Sequence, residues 1–167
     1  MVDGDRVTCG ALFLVVLAAA TPALADTQGS TPDPRVEKLL QDAALTYSID
    51  EDGDFRLNYD LPDGRSQRVW VASRTSRLQT VEVRDVWSVS YRSVGQVSSE
   101  LANQLLLDNA AQTLGGWQIQ RSADEYLIVF SAQLAADTAV STLVETIDAV
   151  LRVADGLERQ LTGGDGF

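Results

Sequence analysis

The chain alternates between segments with helical spacing of apolar residues and segments in which every second residue is apolar. The first helical segment is predicted to begin at Pro34, because Asp33 suits the N-cap and proline suits the first helical position. Residues 55–61 then alternate between apolar and polar side chains, and an Asp-Gly pair on either side is typical of hairpin turns. This pattern predicts an opening helix followed by antiparallel strands.

Two further strands are predicted over residues 67–74 and 81–92. Alternation in the second of them assigns Trp87 to the face that packs against helices and Arg84 to the opposite face. The assignment in full places Val81, Val83, Trp87, Val89 and Tyr91 on the packed face, and Glu82, Arg84, Ser88, Ser90 and Arg92 on the other.

In the second half of the chain, the spacing of apolar residues again changes from helical to alternating. Ser98 suits the N-cap of a second helix, and the glycine pair at 115–116 suits a left-handed end. Two strands follow over residues 117–121 and 126–132, and a long closing helix is predicted from an Asp137 cap. The predicted fold is α+β, an α-β-β-β-α-β-β-α layer sandwich with an antiparallel sheet and helices mainly on one face.

The first 25 residues have the pattern of a secretory signal peptide. An apolar run starts at Gly10, and the small-residue sequence that ends at Ala25 is typical of a cleavage site. The run has eleven residues before Thr21-Pro22, whereas a retained membrane anchor, the alternative, needs roughly 20. We predict a signal peptide over 1–25, a flexible lead over 26–33, a domain over 34–162 and a disordered tail over 163–167, with the mature protein periplasmic or secreted.

Composition restricts the chemistry of the predicted mature chain. The sequence has no histidine, and its one cysteine, Cys9, lies in the predicted signal peptide. Without residues 1–25, the 24 acidic and 13 basic residues fall to 22 and 12, which makes nucleic acid an unfavourable partner. We therefore predict a protein that is not an enzyme, with no cofactor and no metal site. A small-ligand carrier and an enzyme that uses only carboxylates are the alternatives.

One acidic turn resembles a calcium loop. Asp50, Asp52 and Asp54 alternate along the chain as calcium ligands do. An EF-hand starting at Asp50 would need glycine where Phe55 stands and a bidentate carboxylate where Leu61 stands. A solvated hairpin turn is therefore the preferred interpretation.

The arginine residues are concentrated in one part of the chain. Residues 55–95 contain seven arginines and four acidic residues, although the chain as a whole is acidic. Strand alternation predicts that several of them share a sheet face with one tryptophan, a residue typical of binding hot spots. Such a face suits an acidic protein or peptide, or a second copy of the chain in a homodimer, and the alternative is a merely solvated surface. The candidate partner-binding residues are Arg56, Arg68, Trp70, Arg74, Arg84 and Arg92.

Four segments carry a resemblance to a known family: GRSQRVWVASRT, SSELANQLLLDNAAQ leading into GGWQIQ, EYLIVF, and STLVETIDAVLRVADGLERQL. They resemble the YbjN-type family, whose fold is similar to that of type III secretion chaperones. The resemblance implies a non-enzymatic regulator, and the related chaperones bind other polypeptides as dimers. Those chaperones are cytosolic, whereas this chain carries an export signal. We therefore expect a periplasmic polypeptide-binding or regulatory module rather than a secretion loader.

Overall fold

The computed structural model describes residues 31–163. The predicted signal peptide, residues 26–30 of the predicted lead and residues 164–167 of the predicted tail lie outside the described residues. The helices are α1 (Pro34–Asp42), α2 (Ser99–Asn109) and α3 (Val140–Thr162), with a short 3-10 turn at Pro62–Gly64. The strands are β1 (Ser48–Ile49), β2 (Phe55–Asp60), β3 (Ser66–Leu78), β4 (Val81–Val94), β5 (Gly116–Ser122) and β6 (Glu125–Ala135).

The strands form one antiparallel sheet in the order β1-β2-β3-β4-β6-β5. The predicted α+β class and antiparallel sheet are confirmed. The two-residue strand β1 was not predicted, because two residues are too few to show alternation. No helix within residues 31–163 combines the length and the apolar character needed to cross a membrane.

All three helices pack against one face of this sheet. Val36 and Leu40 of α1, Leu105 of α2 and the apolar stripe of α3 belong to the same buried cluster. The strands contribute residues of a single alternation phase to it, such as Phe55 and Leu57 in β2. The opposite face of the sheet, which we call the open face, is therefore left without a helix in the described part of the chain.

The first and last helices begin differently. Asp33 caps α1 as predicted, since its side chain accepts a hydrogen bond from the backbone N–H of Arg35. The prediction of an Asp137 cap for α3 is wrong. The N-cap is Ala139, which has no side-chain acceptor, so the apolar stripe of α3 rather than a cap holds the start of this helix against the sheet.

The end of α2 also differs from the prediction. The helix stops at Asn109, whose side chain accepts from the backbone N–H of Trp117 at 2.6 Å and donates to its carbonyl at 3.3 Å. Gly115, predicted as the left-handed end of the helix, instead lies immediately before strand β5, with φ +78°. A Cβ there would lie 2.5 Å from the carbonyl oxygen of Ser131, so glycine permits the close approach of the chain to β6.

Candidate binding surface

Two tryptophans form the centre of the open face. Trp70 of β3 lies directly opposite Trp87 of β4, and their rings stack with centroids 4.4 Å apart and planes 5° from parallel. Both side chains are half-buried. Register extends this row to Arg56 on β2, opposite Trp70, and to Ser131 on β6, opposite Trp87. The row places a guanidinium and a hydroxyl on either side of an aromatic pair.

The prediction for Trp87 was wrong. The sequence placed it in the core because Val89 alternates with it, but both residues lie on the open face and Val86 faces the helices. A register shift between Val89 and Tyr91 then moves Tyr91 to the core side, where it packs against the buried cluster. The set of β4 residues that the sequence assigned to the packed face therefore includes residues from both sides of the sheet.

The open face continues as an apolar strip beside the tryptophans. Val89 and Val129 are directly opposite each other, and only 4% and 0% of their surfaces are exposed although no helix of the described chain covers them. Leu127, which shares their side of β6, is half-buried. The open face thus contains tightly packed apolar side chains as well as charged ones.

Five of the six predicted partner-binding residues share this face. Arg68 and Arg74 lie on the same side of β3 as Trp70 and are exposed, and Arg56 is half-buried with its Nε donating to Ser48 Oγ at 3.2 Å. Arg92 lies opposite Leu127, 3.5 Å from a carboxylate oxygen of Glu125. The structure therefore brings Arg56, Arg68, Trp70, Arg74 and Arg92 to one side of the sheet.

Arg84, the sixth predicted residue, lies on the opposite side, so its predicted place on the open face was wrong. Its side chain is 1% exposed. One guanidinium nitrogen donates to the carbonyl oxygen of Ala72 at 2.5 Å, and the other donates to a carboxylate oxygen of Asp33 at 2.7 Å. The two acceptors offset much of the desolvation of the arginine, although its Nε is buried without a hydrogen-bond partner, and the ion pair attaches the start of α1 to the sheet.

A charged cluster surrounds this ion pair. Arg35 donates to both Asp33 and Glu82, and Glu82 also accepts from Thr75 at 2.7 Å. Burial alone would raise the pKa of Asp33, but the hydrogen bonds from Arg35 and Arg84 hold it well below its usual range. The hydrogen bond from Arg35, with that from Thr75, lowers the pKa of Glu82 to about 2. Apart from the capping role of Asp33, no local pattern in the sequence predicts this cluster.

A depression on the open face lies between two arginines. It has a volume of about 350 Å³ and is lined by Arg56, Asn58, Ser66, Gln67 and Arg68. Asn58 and Arg68 are directly opposite each other across β2 and β3. Guanidinium and amide N–H groups at this spacing are suited to carboxylate oxygens.

Acidic residues on the open face moderate its charge. Asp60 ends β2, and Asp85 precedes the tryptophan pair by two residues, with Ser131 Oγ 3.5 Å from its carboxylate. The arginines still outnumber these carboxylates, in a chain whose net charge is −11. With Glu125 beside Arg92 as a third carboxylate, the open face is still much less acidic than the rest of the molecule, so an acidic partner is repelled least on this side.

The acidic turn before β2 holds its carboxylates against the backbone. Asp50 Oδ1 accepts from the N–H groups of Asp52 and Asp54 at 3.1 and 2.9 Å, and Asp54 Oδ1 accepts from the N–H of Ser73 at 2.8 Å. Burial raises the pKa of Asp54. No group of three metal-ligating side chains occurs among residues 31–163. The geometry is that of a turn whose carboxylates accept backbone hydrogen bonds.

Comparison with known proteins adds no assignment. No protein-family model matches the chain, and no curated protein matches it.

Proposed function

We propose that the protein is a non-enzymatic polypeptide-binding module of the periplasm, and that the open face binds an acidic segment of its partner. The observation that carries the proposal is the stacked pair Trp70–Trp87, half-exposed on a sheet face that no helix of the described chain covers. Aromatic side chains with arginines around them are typical centres of protein interfaces. The resemblance to the YbjN-type family and the predicted export signal support the same function and place.

The flanking arginines suggest the chemistry of the partner. Arg56 and Arg68 border a depression large enough for a carboxylate side chain, and Arg56 lies opposite Trp70. An acidic segment with apolar residues could place its carboxylates there and its apolar groups on the tryptophan pair. Long-range repulsion would be weakest on this side of an otherwise acidic molecule, which favours one orientation of binding.

The test uses an unfolded acidic polypeptide, reduced and carboxymethylated α-lactalbumin, as the probe for residues 26–167 of the chain. We expect binding by fluorescence anisotropy that weakens with salt, and a loss of at least roughly tenfold in affinity for the double variant Arg56→Glu and Arg68→Glu. The matched control is Arg121→Glu with Lys38→Glu, which changes the net charge equally at exposed positions away from the open face. Equal losses in the two variants, or no binding by the unaltered protein, would contradict the proposal.

A further inference from the structure

A second concave site lies on the helical side of the molecule, away from the open face. It is a groove of about 460 Å³ between α2 and α3, beside the edge strand β5. Leu105, Trp117 and Leu157 are its buried apolar residues, and Val153 is half-buried. Its exposed lining consists of Gln104, Leu107, Asp108, Arg152, Gly156 and Gln160. A volume of this size is within the range of small-molecule sites.

Gly156 keeps one wall of the groove open. It lies in the interior of the long helix α3, where glycine weakens a helix relative to alanine. A Cβ at this position would meet no atom within 4 Å, so packing against the protein does not require the glycine. Its φ is not in the left-handed region, so the backbone does not require it either. The absence of a side chain at Gly156 therefore leaves space in the groove that a ligand can occupy.

The two charges on the groove are not equivalent. Asp108 accepts from the indole N–H of Trp117 at 2.6 Å and from the Gln112 amide at 3.0 Å, so its carboxylate is held by the protein. Arg152 is exposed and forms no ion pair with any residue in the range 31–163. Arg152 and Gly156 are one helical turn apart on the same side of α3. A free guanidinium thus borders the open space above the glycine.

We propose that this groove binds a small amphipathic anion, with its apolar body above Gly156 and its acidic head at Arg152. The body would contact Leu105, Leu157 and the ring of Trp117, which are already shielded from water on their other sides. Leu107 at the rim, 76% exposed, would lose water contact as the ligand enters. Medium-chain fatty acids and aryl sulfonates have this chemistry. The site is independent of the open face.

The probe is anilinonaphthalene sulfonate, whose fluorescence rises in an apolar site, and octanoate is the competitor. We expect saturable binding of one probe per chain and displacement by octanoate, but not by octyltrimethylammonium, whose chain length is the same and whose charge is opposite. Gly156→Leu fills the groove and should weaken binding at least roughly tenfold while raising the melting temperature, because leucine favours the helix. Arg152→Gln should also weaken binding by roughly tenfold, as expected for the loss of one charge-assisted hydrogen bond.

Two controls separate the groove from general surface binding. Glu145→Leu adds an exposed leucine to α3 outside the groove, and Arg68→Gln removes an exposed arginine from the open face. Both should leave the affinity for the probe unchanged. The proposal is overturned if the unaltered protein shows no saturable binding, if Gly156→Leu binds as well as the unaltered protein, or if the cationic amphiphile competes as strongly as octanoate.

Discussion

On strand β4, a charged side chain is buried on one side of the sheet and a large aromatic side chain is partly exposed on the other. Arg84 is almost fully buried on the helical side, whereas Trp87 is half-exposed on the open face. Each position depends on a partner: Asp33 accepts from the guanidinium, and Trp70 stacks on the indole. The contrast shows that partners across the fold decide which way a strand residue points, even against the preference of its side chain.

The same contrast distinguishes a residue that stabilises the fold from residues available for binding. The arginine on the helical side donates from both terminal nitrogens to acceptors within the protein and is 1% exposed, so it stabilises the fold and is not accessible to a partner. The aromatic pair on the open face is satisfied only in part, because each ring keeps some exposed surface. Removing Arg84 should therefore affect mainly folding, and removing Trp70 should affect mainly binding.

The largest expected effect is that of Arg84→Ala. It leaves the Asp33 carboxylate, itself 10% exposed, without one of its two cationic partners, so we expect a loss of about 3 kcal/mol or more in unfolding free energy. Arg68→Ala on the open face is the matched control and should change stability by no more than about 0.5 kcal/mol. Urea denaturation of both variants measures the difference. Similar small losses would show that Arg84 is not a structural residue.

The stacked pair should show a smaller, coupled effect. In a double-mutant cycle, Trp70→Ala and Trp87→Ala should couple by about 0.5–1.5 kcal/mol, as expected for an aromatic pair beyond its buried area. Trp117→Ala, in the core beside Phe130, should cost about 3–5 kcal/mol by itself. Chemical denaturation supplies all the values. If Trp70→Ala were as costly as Trp117→Ala, the open face would be part of the core.

The smallest effect is the pH dependence due to Glu82. Its pKa of about 2 in the folded protein is below the ordinary 4.5, so the stabilisation is present above pH 4.5 and is lost as the pH falls toward 2. Glu82→Gln should therefore be less stable than the unaltered protein at pH 6, and the gap should close between pH 4.5 and 2. Urea midpoints across this range test it. A gap that stays constant would mean that the charge of Glu82 does not contribute.

Local signals explain why part of the fold was predictable. Three of the features that predicted it each lie within a short stretch of sequence: the Asp33-Pro34 cap, the alternation in residues 55–60 and the apolar stripe of α3. These features were enough to predict the α+β class and the antiparallel sheet. Capping and periodicity require no knowledge of distant contacts.

Which side of the sheet each β4 residue faces could not be predicted, because it depends on contacts with residues distant in sequence. Shifts in strand pairing between Val71 and Thr75, and between Val89 and Tyr91, interrupt simple alternation. The contact that buries Arg84 is made with a residue 51 positions away in sequence. The exposure of Trp70 could be predicted from its own strand, but its pairing with Trp87 depends on register between strands.

The most direct test of the account is the accessibility of the tryptophan pair during binding. In a Trp117→Phe variant, Trp70 and Trp87 are the only tryptophans, so excitation selective for tryptophan reports on the open face alone. Adding an unfolded acidic polypeptide that contains no tryptophan should protect this emission from quenching by acrylamide over the same concentration range in which anisotropy shows its binding. Binding by anisotropy with unchanged quenching would contradict the central claim that the open face is the binding surface.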